Sequence, residues 1–220
     1  MKYSSIAFII LLLACNQTTN SSETRTSKYS RLLSKFQEIS FDTLEVYSMG
    51  DGAEKNYKYN GVQLDILDAI LFPADIAKRH FSDPPGLFAC YKFKIDSFKT
   101  GLITRTPSEY YPTSIKLFIY ESSKDTLEEF SELAESIGDA GALRDVNSWL
   151  FRDSIKDVHA FTWIRDSEDN SVENEKDTTI SITNFFTLSN ITKNKKKKLD
   201  SAIAKLPTSL KKFIVAKASR

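Results

Sequence analysis

Residues Leu87–Thr106 read LFACYKFKIDSFKTGLITRT. Ala89, Tyr91, Phe93 and Ile95 alternate with Cys90, Lys92 and Lys94, the period-two pattern of a half-buried strand. A short turn carrying Asp96 and Gly101 follows, and Leu102 to Thr106 resumes the extended pattern. Pro84-Pro85-Gly86 breaks the chain just ahead of this stretch. Downstream the same period returns three times. Ile115, Leu117 and Ile119 alternate with Lys116, Phe118 and Tyr120; Val158 to Arg165 alternates with Phe161 and Trp163 on one face; Ile180 and Ile182 continue it to Phe186. Polar turns of hairpin length separate these runs, and regular helices do not. The spacing therefore predicts a mainly β (α+β) domain over 29–192, an antiparallel β meander forming a sandwich or partly open barrel. The chain is too short for such strands to close a propeller ring.

The flanks carry shorter elements. Leu32, Leu33 and Phe36 have helical spacing, Leu44-Glu45-Val46 reads as extended, and Pro73 opens a short helix ending near Phe81. Asp51-Gly52 and Asn60-Gly61 are turn dipeptides. Leu127, Phe130, Leu133, Ala134 and Ile137 fit one face of a helix, so 127–137 is expected to be helical, with a strand pair as the competing assignment.

At 220 residues the chain has the length of one domain with a sizeable core. Only 7 residues are Gly, which excludes glycine-rich phosphate loops. The net charge of +1 hides a strong polarity. Residues 193–220 hold ten basic groups against one acid, whereas 15–192 hold nineteen against twenty-eight. Residues 193–220 thus form a basic tail. Leu199, Ile203, Leu206, Leu210, Phe213 and Ile214 give it an amphipathic helical period that Pro207 divides into two short helices. Its partner is expected to be the acidic body or an anionic membrane surface. Nucleic acid is excluded, because the lysine run lacks interleaved aromatics or arginines.

The chain opens MKYSSIAFIILLLAC. Lys2 precedes a nine-residue apolar run, Ile6–Ala14, too short for a bilayer span of about 20 residues but suited to a secretory signal. Leu12-Leu13-Ala14-Cys15 resembles the lipobox of bacterial lipoproteins. The resemblance implies removal of residues 1–14 and lipidation of the Cys15 thiol. Two or three acyl chains, at about 0.8 kcal/mol per buried methylene, anchor a protein stably. Residues 15–28, rich in Ser, Thr and Asn, read as a flexible tether. Asn16, in place of the Asp that retains many enterobacterial lipoproteins at the inner membrane, favours the outer membrane.

Chemistry-bearing residues are sparse. With Cys15 lipidated, Cys90 is a lone thiol in an apolar setting, expected to be buried and inert. Only His80 and His159 exist, at no zinc-ligand spacing. The acidic stretch Asp166 to Asp177, with Glu168, Asp169, Glu173 and Glu175, has oxygen ligands for calcium but Ser171 where an EF-hand needs glycine, so it is expected to be a solvated hairpin loop. Glu132 and Glu135 form a carboxylate pair of the kind a glycosidase uses. The most distinctive segment runs from Glu135 to Asp153. It suggests a loop presenting Asp139, Trp149 and Arg152 to a ligand, or a tight turn feeding a core strand.

Taken whole, the lipobox, the Lys/Asn/Ile-rich composition and the strand-turn texture resemble the envelope lipoproteins of Bacteroidota. Asp42-Thr43-Leu44, Asp125-Thr126-Leu127 and Asp153-Ser154-Ile155 resemble the O-glycosylation sites of that group. The resemblance brings no activity. The expectation is a lipid-anchored, non-enzymatic binding or assembly component of the cell envelope, with an envelope protein partner and no cofactor or metal. The alternative is an envelope glycan hydrolase using paired carboxylates.

Overall fold

The computed structural model describes residues 26–49, 56–78, 86–107, 113–172, 176 and 178–218. Eight strands follow one another as an antiparallel meander: β4 (Phe88–Lys94), β5 (Lys99–Thr106), β6 (Ser114–Glu121), β7 (Thr126–Asp139), β8 (Ala142–Arg152), β9 (Val158–Asp169), β10 (Ile180–Asn190) and β11 (Lys195–Lys198). Three short strands precede them: β1 (Gln37–Glu38) parallel to β4, β2 (Thr43–Val46) antiparallel to β8, and β3 (Val62–Gln63) antiparallel to β4. The fold is mainly β, and the sheet does not close into a barrel.

β7 decides the shape. Its first part pairs with β6, and its last five residues, Glu135–Asp139, pair with β8. Two register shifts in the β6–β7 ladder, at Ile115/Lys116 and Leu117/Phe118, give β7 an extra residue at Leu133 and at Phe130 and bend it just ahead of that changeover. The two halves of the sheet then face each other, and β2 occupies the flank of β8 that β7 leaves open. Between the halves lie Leu44, Val46, Phe93, Ile103, Ile115, Leu117, Leu133, Leu150 and Ala160. The expected helix at 127–137 is therefore a strand. Each bulge inserts an extra residue, so the inward positions of β7 recur at three as well as two and imitate a helical period.

Helices cover both outer faces. α1 (Ser30–Ser34), α2 (Ile66–Ala69) and α3 (Ala74–Lys78) bring Leu32, Phe72 and Ile76 against Leu102 and Phe118. That is why consecutive residues of β5, Leu102 and Ile103, are both fully buried. Phe81, where the third helix was expected to end, lies outside the described residues. The N-terminal boundary is sharper than a tether to residue 28 implies. Ser27 Oγ donates to Asp125 Oδ1 at 2.5 Å and accepts from Tyr120 Oη at 2.9 Å.

Pro207 divides two short helices in the basic tail, a 3-10 turn over Ile203–Lys205 and a longer helix after it, but the lysine run ahead of them departs from the helical expectation. Lys195–Lys198 is an extended edge strand paired with Thr187–Asn190. On a helix these like charges crowd at neighbouring turns, whereas on a strand they alternate between the two faces. After Pro207 comes α4 (Thr208–Ala218), which lays Leu210, Phe213 and Ile214 on Trp149, Phe161 and Phe186, with Leu206 beside them. The tail is docked on the body. Among the described residues, no helix is long and apolar enough to cross a membrane.

Candidate functional site

β8, β9 and β10 run on beyond the rows that α4 and the core cover. The Ala140-Gly141 turn joins β7 to β8 with φ of 47° and 86°. This is the left-handed conformation of a two-residue hairpin turn. A Cβ at Gly141 would lie 2.5 Å from Val172 Cγ2, so the turn also packs against the β9–β10 connection.

Register places side chains in rows on the face continuous with the core. One row is Glu135, Val146, Ile164 and Phe185; the next is Ile137, Arg144, Asp166 and Thr183; the outermost is Asp139, Ala142, Glu168 and Ser181. The two outer rows line an open groove of about 400 Å³. Arg144 Nη1 donates to both Asp166 oxygens, at 3.1 and 3.2 Å. Asp139 and Glu168 make no ion pair among the described residues, so three acids face one base. Among the described residues the lining contains no His, Cys or Lys. Such a surface can recognise a cationic, partly apolar group.

Of the expected ligand-binding residues, only Asp139 reaches this groove. Trp149 stands seven residues along β8 from Ala142, the partner of Asp139, or about 24 Å away along the strand. It is buried beneath α4, with its ring 5.5 Å from Phe213 and 5.8 Å from Phe161. Arg152 lies at the opposite end of β8, donating to the Lys94 and Lys156 carbonyls at 2.6 and 3.2 Å and standing 5.6 Å from the Phe41 ring. The three do not converge. The segment is a hairpin of two long strands, whose ends are held apart by the strand rise.

Other clusters serve the fold. Asp153, Asp157 and His159 bring ligand atoms within 4.8 Å of one another. They close the β8–β9 turn: Asp153 Oδ1 accepts from the Ile155 and Asp157 amides, and His159 Nε2 lies 3.0 Å from Asp153 Oδ2. Lys193 and Asn190 occupy Asp157 Oδ2 at 2.6 and 3.0 Å and hold that carboxyl below its ordinary range. Asp166 and Asp169 do not converge as calcium ligands. One pairs with Arg144 and the other accepts from the Ser171 amide; Glu173, Glu175 and Asp177 lie outside the described residues. Cys90 donates to the Tyr59 carbonyl at 3.3 Å, and burial pushes its thiol up to about 12, far from a nucleophile. Cys15 and His80 are outside the described residues.

Glu132 is partly buried on β7 and accepts from Ser114 Oγ at 2.5 Å. Burial raises its carboxyl above the ordinary value, and Glu135 adds to the rise against the Ser114 hydrogen bond. Both acids stand on one strand, three residues apart, and neither lines the distal groove. Among the three Asp-Ser/Thr-apolar triplets, Asp153-Ser154-Ile155 presents its hydroxyl residue in an exposed turn, whereas Leu44 and Leu127 bury the ends of the other two. Sequence reasoning missed Arg144, Asp166, Glu168 and Thr183 as a set, because they are brought together only by strand register. Comparison with protein-family models, curated proteins and solved structures finds no match for the chain.

Proposed function

We propose that this chain is a lipid-anchored protein of the cell envelope, held through Cys15 with the outer membrane favoured, whose β domain is a non-enzymatic binding or assembly component. The observation that carries the reading is the distal groove. It is open, acidic and partly apolar, and its one base is already paired with Asp166. Its complement is a basic segment with an apolar side chain, such as an extended stretch of an envelope protein. Lys195–Lys198 stay exposed after the tail has docked, so their charge is free to meet anionic lipid.

Crosslinking in intact envelopes, followed by detergent extraction and pull-down, tests the groove. The wild-type chain is expected to capture a different protein, and Asp139→Lys with Glu168→Lys to lose it. Recovery of the same crosslinked partner by both chains, or of none by either, overturns the reading. The alternative, glycan hydrolysis, draws on the raised Glu132 carboxyl beside Glu135. It needs two acids flanking a bond, and these two project from a single strand outside the groove.

A further inference from the structure

Edge strands expose unpaired N–H and C=O groups, and lysine is a common device for blocking them. The last two strands show a blocked and an open edge side by side. β11, four exposed lysines, pairs with Thr187–Asn190 of β10. Leu199 adds one residue of cover by donating to the Phe186 carbonyl at 2.9 Å. Beyond that point no strand flanks Ile180–Phe185 on this side among the described residues.

The hydrogen-bonding phase of β10 follows from its neighbours. The Phe186 carbonyl faces β11; the Thr179 carbonyl accepts from Asn170, and the Ile191 amide donates to Val158, both on the β9 side. The β9–β10 register runs unbroken from Ile180 to Asn190. Alternation along an antiparallel ladder therefore turns the even-numbered residues outward. Ile180, Ile182 and Asn184 aim their amides and carbonyls at an open edge. The whole strand, ISITNFFTLSN, has no charge and no proline. Ile180, Ile182 and Phe185 are 63%, 50% and 48% exposed. An uncharged, β-branched, unpaired edge is the composition most prone to strand pairing.

We propose that this segment is the interface of a homodimer, in which β10 pairs antiparallel with β10 of a second copy about a two-fold axis through Ile182. Symmetry and charge select that occupant. The outward residues are centred on Ile182, so the axis sets Ile182 opposite its copy, Ile180 opposite Asn184, and Ser181 opposite Thr183. Every outward amide and carbonyl of the three residues then finds a partner, as an isologous interface requires. In such a pairing a charged residue on the axis faces its own copy, and like charges directly opposite destabilise a sheet; this strand carries none. A peptide of different sequence imposes no such restriction and is drawn better by an edge of complementary charge. The overlap is also bounded. The paired residues run from Ile180 to Asn184, and Leu199, which caps the Phe186 carbonyl, lies two residues beyond their end. The axis is perpendicular to the sheet and leaves both distal grooves, each bordered by Ser181 and Thr183, opening on the same side. The dimer rests on the edge alone and is independent of what the groove binds.

Sedimentation equilibrium of the full chain in non-ionic detergent tests the proposal, with circular dichroism to verify folding. The wild-type chain is expected to dimerise reversibly, and Ile182→Lys, which sets a charge against its own copy, to weaken the dimer about tenfold or more. The double variant Ile180→Glu, Asn184→Lys places opposite charges across the axis twice. It is expected to dimerise, with an affinity that falls as salt is raised. This arm keeps the test decisive if Ile182→Lys fails to fold. A wild-type chain that stays monomeric at the highest concentration it tolerates overturns the proposal. So does a folded Ile182→Lys chain that dimerises as wild type, or a double-variant dimer indifferent to salt.

Discussion

Docking of α4 on the sheet rests on Phe213, and Phe213→Ala measures it. The ring lies 5.5 Å from Trp149 at 14° between planes, 5.8 Å from Phe151 and 6.1 Å from Phe161, with Leu210 and Ile214 beside it. Truncating a core phenylalanine costs about 3–5 kcal/mol through lost burial and the cavity left behind. Phe213 sits at the seam between one helix and the sheet, where the helix can settle inward, so the lower end applies, about 3 kcal/mol. For a domain of this size that corresponds to a fall in Tm of about 6–12 °C. Urea denaturation followed by tryptophan emission suits the measurement, because Trp149 lies directly beneath the lost ring. The midpoint is expected to fall with an unchanged m value, and the native emission to shift to the red. Val215→Ala, on the exposed side of the same helix, is expected to stay within about 0.5 kcal/mol of wild type. A loss below about 1 kcal/mol for Phe213→Ala, with unchanged emission, would refute the docking, since truncation of a seated aromatic costs several times that. The apolar face of the tail would then lie elsewhere, the membrane being the remaining candidate.

Three further outcomes are expected. A Cβ at Gly101 meets the Phe93 ring at 2.4 Å, so Gly101→Ala is expected to cost about 1–3 kcal/mol by overpacking and to be rescued in part by Phe93→Leu; equal losses with and without the second change would contradict that packing. Glu132→Gln keeps an acceptor for Ser114 and removes a buried charge. The folded carboxyl titrates above its unfolded value of about 4.3, so the native state binds more protons and wild-type stability falls as pH rises through that interval. The variant is thus expected to be the more stable at neutral pH and to match wild type below about pH 4; thermal melts across that range check it, and a constant difference would count against it. Cys15→Ser is expected to move the chain from the membrane pellet to the soluble fraction after lysis; retention in the pellet would assign the anchorage to the exposed lysines.

The meander was legible because alternation is a local property. Strands at 88–94, 99–106, 114–121 and 158–169 were each legible as extended runs, but not all of their faces were: a register shift between Ala89 and Tyr91 sends Ala89 to the outer cluster while Cys90 and Phe93 join the inner one, and 99–106 is buried on both sides. β7 was misread because its bulges arise from pairing with β6, and a bulge is written in two strands at once. The lysine run was misread for a related reason. Its amphipathic spacing toward Leu199 is compatible with a helix, and only the vacant edge of Thr187–Asn190 makes the extended form the better one. Asp139 was singled out with Trp149 and Arg152 because the three are close in sequence, yet a strand carries its residues apart at about 3.4 Å each. Arg144 and Asp166 are far apart in sequence and meet across one rung of the ladder.

Local periodicity, the lipobox signature and the division of charge between body and tail belong to the sequence alone, since each depends only on residues near one another in the chain. Tertiary structure decided which side chains share the distal groove, that the tail's apolar face lies on Trp149 and Phe161, and that the lysines block one half of an edge while Ile180–Asn184 leaves the other half open. All three follow from register and from the bend in β7. Those are set by the free energy of burying both halves of the sheet against each other, a quantity that no single segment contains.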